Sequence, residues 1–128
     1  MELDLWNTHA GNFRACIDLR KLHEMTNSHF RKLLRIAYTD LEENEVELDL
    51  LETYLERRCA STLEEWDKAS RRFTDEWKLV NKHKRDPETL EILRHNRELK
   101  KDVARARSLH TRYQALKSIF NEEKEKNK

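Results

Sequence analysis

The sequence predicts an all-α fold, an antiparallel up-and-down bundle of three long helices plus an N-terminal helix, with coiled-coil character. Good helix formers (Leu, Glu, Lys and Arg) dominate the chain, and charged residues make up 40% of its 128 positions. A single glycine and a single proline are too few for the turns of β-hairpins. Apolar residues recur regularly and the net charge is only +1, which argues against disorder.

The N-terminal helix is predicted over residues 3–25. Its first apolar residues recur at intervals of four, three and four, which places them on one helical face. They are Trp6, Ala10, Phe13 and Ile17. Gly11 interrupts this pattern and Asn12 is a candidate N-cap, so a helix that begins at residue 12 is the alternative.

The second helix is predicted over residues 28–58 and has the clearest heptad spacing in the chain. Its seam residues alternate four and three apart, as in a coiled coil. They are Phe30, Leu34, Ala37, Leu41, Asn44, Leu48, Leu51 and Leu55. Asn44 is the one polar member. It either fixes the register as a buried polar residue or occupies a partly exposed position.

The third helix is predicted over residues 62–85, after a junction at 58–62 where the heptad register slips by one residue. A tight turn explains the slip, because Ser61 and Glu64 match a capping box. A continuous helix with a local irregularity is the alternative, since no glycine or proline forces a break. The new seam, interpreted as core, contains Leu63, Trp66, Ser70, Phe73, Trp77 and Val80.

The last helix is predicted over residues 87–121. Asp86, Pro87 and Glu88 supply an N-cap, a first-turn proline and a first-turn acid. The bundle is expected to form one domain over residues 1–121. The tail, residues 122–128, has no apolar side chain and is expected to fray.

Residues 28–120 resemble a spectrin-type three-helix repeat in length, in heptad spacing and in having tryptophan within a seam. The resemblance implies a three-helix bundle. It covers architecture only, and because no family-specific motif accompanies it, it implies no function.

Charge is distributed unevenly along the chain. Residues 40–65 contain ten acids against two arginines, a net charge of −8, whereas residues 82–128 contain fourteen Lys/Arg against eight acids, a net charge of +6. Either an acidic helix packs beside a basic one and fixes their pairing, or a basic surface binds nucleic acid or an acidic protein. The basic residues predicted to share one side of the last helix are Arg94, Arg97, Lys101, Arg105 and Arg112.

No catalytic, metal or cofactor site is predicted. The six histidines form neither the His-Glu-x-x-His zinc pattern nor the Glu-x-x-His pairs of di-iron bundles. Gly11 stands alone, so no phosphate-binding loop is present. His110 is interpreted as a satisfied core histidine, and Cys16 and Cys59 as reduced, buried residues.

The expected location is the cytoplasm, with the nucleus as the alternative. No apolar run approaches the ~18 residues of a membrane span, and the N-terminus lacks the pattern of a signal peptide.

The predicted function is a non-catalytic protein-binding or scaffolding module that docks a partner, or a second copy, through an apolar seam or a charged helix face. Trp6 and Phe13 are candidate contacts together with the five basic residues of the last helix. Binding of nucleic acid by that helix is the alternative. The pI of about 7.8 lies below the ~9 that is typical of nucleic-acid-binding domains.

Overall fold

The computed structural model describes residues 18–82 and 89–127, and side chains over 18–79 and 94–127. In these ranges a short 3-10 helix, Leu19–Glu24, precedes three α-helices and no strand occurs. The α-helices are α1, Asn27–Thr39, α2, Leu41–Lys82, and α3, Thr89–Lys126. The predicted all-α helical bundle is therefore confirmed. None of the described helices is long and apolar enough to cross a membrane.

The chain divides into two compact units. The first, here the three-helix unit, takes its described residues from Met1–Cys59 and Arg112–Lys128, and the second, the two-helix unit, is Ala60–Thr111. The three-helix unit contains α1, whereas the two-helix unit has only segments of α2 and α3. The single domain over residues 1–121 stays a prediction.

The three-helix unit has the predicted up-and-down arrangement. Arg112 donates to Asn27 and Arg31 Nη1 lies 2.8 Å from Glu122 Oε2, so α1 and this part of α3 run in the same direction. In contrast, α2 is antiparallel to α3. Glu52 pairs with Lys124, and Arg58, six residues further along α2, lies over the ring of Tyr113, which precedes Lys124 in α3.

The core of the three-helix unit is apolar and closed. Every one of its helices contributes leucine or phenylalanine side chains that are almost completely buried, which is the largest stabilising contribution available to a small bundle. These residues include Leu19, Leu22, Phe30, Leu33, Leu34, Leu48, Leu51, Leu55, Leu116 and Phe120.

The predicted helix over residues 28–58 is interrupted at Asp40, which has φ −126° and ψ 69° and ends α1. Asn44 explains how the break is stabilised. Its side chain is buried, and its Nδ2 donates to the carbonyl oxygens of Ala37 at 3.3 Å and Asp40 at 3.0 Å. Asn44 therefore satisfies carbonyls at the end of α1, which heptad spacing alone does not reveal.

The predicted turn at residues 58–62 is wrong, because α2 continues through it as one helix. The buried positions change register without a break. Leu55 and Trp66 face inward eleven residues apart, with Arg58 and Thr62 between them. A spacing of eleven residues is close to three helical turns, so Leu55 and Trp66 lie on the same side of α2. The alternative of a continuous helix with a local irregularity is confirmed.

The predicted N-terminal helix differs from the structure where the structure describes it. Residues 3–17 lie outside the described residues. Leu19–Glu24 is a 3-10 helix, and the Asp18 carboxylate caps it by accepting from Arg20 N at 3.0 Å. Asp86, Pro87 and Glu88, the predicted start of the last helix, also lie outside the described residues.

The predicted fraying of residues 122–128 is wrong for most of the tail, since α3 continues to Lys126. Glu123 is only 2% exposed and accepts a hydrogen bond from Arg35 Nε at 3.0 Å. Lys124 Nζ lies 2.8 Å from Glu52. These ion pairs with other helices stabilise a segment that has no apolar residue of its own.

Candidate partner-binding surface

In the two-helix unit α2 and α3 pack antiparallel along a mixed polar and apolar seam. Positions at intervals of three and four face the opposite helix, as in a two-stranded coiled coil. On α2 they are Thr62, Trp66, Ala69, Phe73 and Glu76, and on α3 they are Asn96, Leu99, Val103, Ala106 and His110. Of these ten, Leu99 is the one large apolar residue that is completely buried. The seam therefore contributes little hydrophobic stabilisation.

A hydrogen-bonded pair fills one end of this seam. Thr62 Oγ1 and His110 Nδ1 share a hydrogen bond of 3.0 Å, and both residues are buried. The His110 ring lies 5.8 Å from the Trp66 ring, centroid to centroid. The interpretation of His110 as a satisfied core histidine is confirmed.

A stripe of partly exposed apolar residues runs along the same side of α2. Leu63 is 50% exposed and Trp77 is 46% exposed, while Trp66 and Phe73 are half-buried. The Phe73 and Trp77 rings stack with centroids 6.4 Å apart and planes 13° apart. We refer to Leu63, Trp66, Ser70, Phe73 and Trp77 as the apolar stripe.

The prediction that these residues form the core is therefore wrong for Leu63 and Trp77, whereas Trp66 and Phe73 face α3 and are half-buried. The register change in α2 places Thr62, Ala69 and Glu76 toward α3, so Leu63 and Trp77 lie beside the seam instead of within it. Val80 belongs to the predicted seam but lies outside the described side chains. The stripe is a face of α2 that α3 covers only in part.

The α3 residues beside the apolar stripe carry donors and positive charge. The Arg107 guanidinium lies over the Trp66 ring, 6.0 Å from its centroid. Lys100 occupies the same heptad position one repeat earlier. Asn96 lies four residues before Lys100, and its buried Nδ2 has no hydrogen-bond acceptor among the described residues. We refer to Asn96, Lys100 and Arg107 as the donor rim.

None of the donor-rim residues belongs to the predicted candidate contacts. The predicted basic residues share one side of α3, whereas Lys100 and Arg107 lie on the side of α3 that borders the apolar stripe of α2. Arg107 and Lys100 can be recognised as neighbours of the stripe only when it is known which residues of α3 lie opposite Trp66. That knowledge requires the packing of α2 against α3.

Four of the predicted basic contacts do form an exposed row on α3, namely Arg94, Arg97, Lys101 and Arg105. Two of them have acidic partners on the same helix. Lys101 Nζ lies 3.5 Å from Glu98, and Arg105 Nη1 lies 3.4 Å from Asp102. Arg94, Arg97 and Lys101 line a shallow concavity on α3 together with Lys100, and the positive charge of the row is partly neutralised.

Arg112, the fifth predicted basic contact, has a different position. It belongs to the three-helix unit, where it donates to the Met25 and His23 carbonyls and to Asn27 Oδ1. Burial lowers the pKa of its guanidinium below the usual value. Arg112 therefore joins the segment before α1 to α3, and the prediction of a free binding residue here is corrected.

The remaining predicted contacts, Trp6 and Phe13, lie outside the described residues, as does Cys16. Within the described part of the chain, no group of histidine, cysteine and acidic residues could hold a metal ion. Cys59 is half-buried, and burial raises the pKa of its thiol, which disfavours the reactive thiolate.

The three-helix unit also exposes large apolar residues, namely Ile36, Leu41 and Val46, each more than 40% exposed. They lie five residues apart along the chain, so they do not form a stripe at intervals of three and four. Single exposed apolar residues are normal on a protein surface, whereas a contiguous group indicates an interaction site. The apolar stripe of the two-helix unit is therefore the better candidate.

No protein-family model, curated protein or solved structure matches this chain. A functional proposal rests on the chain's own residues.

Proposed function

We propose that this chain is a non-catalytic helical interaction module whose two-helix unit docks a helix of another protein onto the apolar stripe. One observation supports the proposal above all. Leu63 and Trp77 are half exposed on the side of α2 where Trp66 and Phe73 are only half-buried. Tryptophan is enriched among the residues that dominate binding energy at interfaces.

The spacing of the stripe fits recognition of a helix. Leu63, Trp66, Ser70, Phe73 and Trp77 follow one another at intervals of three and four, the pattern by which helices pack along each other. The stripe extends over about 21 Å at 1.5 Å per residue. The small Ser70 between two pairs of large side chains leaves room for one knob of a partner helix.

Docking has a clear energetic benefit. A tryptophan side chain buries roughly 150–250 Å², so covering the exposed half of Trp77 removes on the order of 100 Å² from water. That area corresponds to about 2–3 kcal/mol before the costs of association. Leu63 and the open edges of Trp66 and Phe73 add to this amount.

A crosslinking experiment tests the proposal. A photoreactive phenylalanine analogue replaces Trp77 in the full chain, in the cells that produce it, and a second chain carries the analogue at Val46. Val46 is a matched control, because it lies exposed on the same helix but in the three-helix unit. We expect a small set of proteins crosslinked only at position 77 and lost when Leu63→Lys is added.

Crosslinks that are identical at positions 77 and 46, or that Leu63→Lys leaves unchanged, would contradict the proposal. Circular dichroism of Leu63→Lys serves as the folding control, since a substitution at a half-exposed position should leave the helix content unchanged.

Nucleic acid is the alternative partner, favoured by the exposed row of Arg94, Arg97, Lys101 and Arg105. Its test is the anisotropy of labelled duplex DNA and of RNA at several salt concentrations. Binding that weakens steeply with salt, and that reversal of Arg97, Lys101 and Arg105 abolishes, would support nucleic acid. We expect no such binding at physiological salt, because Glu98 and Asp102 interrupt the row.

A further inference from the structure

The α3 side of the apolar stripe presents donors and cations, and no acceptor balances them. Arg107 lies over Trp66, and Lys100 follows the same edge one heptad away. Neither residue forms an ion pair with a described side chain, although many other cations of the chain do.

The acidic residues of this part of α3 are already engaged elsewhere. Glu98 pairs with Lys101 at 3.5 Å and Asp102 pairs with Arg105 at 3.4 Å. Both pairs are intrahelical, so these carboxylates do not neutralise the rim residues. On α2, the Asp67 carboxylate is likewise engaged within its own helix, since Asp67 Oδ2 lies 3.0 Å from Arg71 Nη2. Lys100 and Arg107 therefore leave positive charge at the α3 edge of the stripe.

Asn96 adds a neutral donor at the same edge. Its side chain is more than nine-tenths buried, and its Nδ2 has no acceptor among the described residues. A buried donor without an acceptor is unfavourable, so this part of the seam is less stable than a fully satisfied one. Lys100 and Arg107, in contrast, are exposed, and carboxylates of a partner can pair with them.

We infer that the docked partner is an amphipathic helix with carboxylates along the flank that faces α3. This inference rests on the proposed function and adds the chemistry of the partner. The apolar face of that helix covers Leu63 and Trp77. Two acidic residues, one heptad apart on the flank of that helix, lie opposite Lys100 and Arg107. The charge complementarity fixes the orientation of the partner helix on the stripe.

Two synthetic peptides test the charge of the partner. Each is a 21-residue helix with leucine at the a and d positions, one with glutamate and the other with lysine at the flanking e and g positions. A scrambled glutamate peptide of the same composition is the control. Each peptide is titrated into the full chain by calorimetry and by tryptophan fluorescence. We expect the glutamate peptide to bind at least tenfold more tightly than the lysine peptide.

Charge reversal identifies the residues responsible. In the double variant Lys100→Glu and Arg107→Glu we expect the preference to invert, so that the lysine peptide binds more tightly. The matched variant Arg94→Glu and Arg97→Glu carries the same change of charge on the exposed row and should keep the original preference. All four positions are exposed, so circular dichroism should show unchanged helix content.

The outcomes separate the two proposals. Equal binding of both peptides, or an unchanged preference after Lys100→Glu and Arg107→Glu, would overturn the acidic flank and leave the docking function intact. If neither peptide exceeds the scrambled control, and Trp77→Lys has no effect, docking on the stripe also fails. Light scattering tests whether a second copy occupies the stripe. A stable dimer that dissociates in Trp77→Lys but not after charge reversal would show that it does, and this result would overturn the acidic partner helix.

Discussion

The two units of this molecule use segments of the same two helices and bury very different cores. In the three-helix unit α1 covers the seam formed by α2 and α3, and Phe30 has no exposed surface. In the two-helix unit no described third helix covers the seam, and Phe73 is half-buried. The comparison shows what a third helix contributes. An apolar face about 100° wide is broader than a single antiparallel neighbour can cover.

The difference is also chemical. Both units bury polar side chains, but among the described residues the three-helix unit also buries many leucine and phenylalanine side chains, whereas Leu99 is the only buried apolar residue of the two-helix unit. A two-stranded pair with polar seam positions is stabilised less by hydrophobic burial and depends more on what covers its open side. This contrast leads to four predictions, given from the largest expected effect to the smallest.

Truncating one phenylalanine in each unit should separate them most clearly. We expect Phe30→Ala to lower the free energy of unfolding by about 3–5 kcal/mol, because the side chain leaves a closed cavity. Phe73→Ala should cost less, about 1–3 kcal/mol, since part of its ring is already in water and no closed cavity is left. Urea denaturation followed by circular dichroism measures both. Equal losses would contradict the comparison and place Phe73 in a closed core.

The second prediction compares two arginines of α3, Arg112 in the three-helix unit and Arg105 in the two-helix unit. Arg112→Met should destabilise the chain by about 1–3 kcal/mol, because the His23 and Met25 carbonyls lose their donor. Arg105→Met should change stability by less than about 0.5 kcal/mol, since its ion pair is exposed. Thermal melts of both variants measure the difference. A neutral Arg112→Met would mean that Arg112 does not stabilise the three-helix unit.

Alkaline pH should weaken the three-helix unit through Tyr54, whose hydroxyl donates to Leu19 O at 3.1 Å. Burial raises the pKa of Tyr54 above its usual value of 10.0. Below that value both states are neutral and stability does not change. As pH rises above it, only the unfolded tyrosine ionises, so the free energy of unfolding falls.

Urea titrations at about pH 8, 10 and 11 measure this effect. Tyr54→Phe should flatten the loss above pH 10, although the variant starts from a lower stability without its hydrogen bond. A loss of the same steepness in Tyr54→Phe would assign the alkaline sensitivity to another group.

Cys59 provides a second probe of unfolding in the three-helix unit, because its raised pKa predicts slow reaction with a thiol reagent until the chain unfolds.

The last comparison uses Trp77→Lys to separate stability from docking. The side chain is nearly half exposed and the aliphatic stem of lysine keeps part of its apolar contact, so the free energy of unfolding should fall by less than about 2 kcal/mol, whereas docking on the stripe should be lost. Urea denaturation and the peptide titration measure the two properties on one sample. A large loss of stability would show that the Trp77 ring belongs to the core of the two-helix unit.

The helical periodicity of the sequence predicts much of this fold correctly, including the face of each helix that is apolar. It does not locate the ends of the helices equally well. Asp40 interrupts a seam whose heptad spacing is unbroken, and the residue that stabilises the break, Asn44, fits the same heptad pattern. At residues 58–62 the opposite happens, because a change of register resembles a turn while the backbone continues.

The candidate site was predicted in part. The exposed row from Arg94 to Arg105 follows from residue spacing on a single helix. The assignment of Arg112 to that row fails, because the segment before α1 supplies carbonyl acceptors that are distant in sequence. The donor rim was missed for a similar reason. Arg107 gains its significance from Trp66 on another helix, and spacing within one helix carries no information on that contact.

The sequence by itself determined that this chain is helical and where its apolar stripes lie, because helix propensity and side-chain periodicity act within a few turns of one segment. Only the tertiary structure decided which stripe is covered. Phe30 and Phe73 occupy equivalent positions in their own seams, and the packing of α1 in one unit buries the first while the second stays half open. Burial depends on how many neighbours surround a helix, and that number is a property of the packed chain.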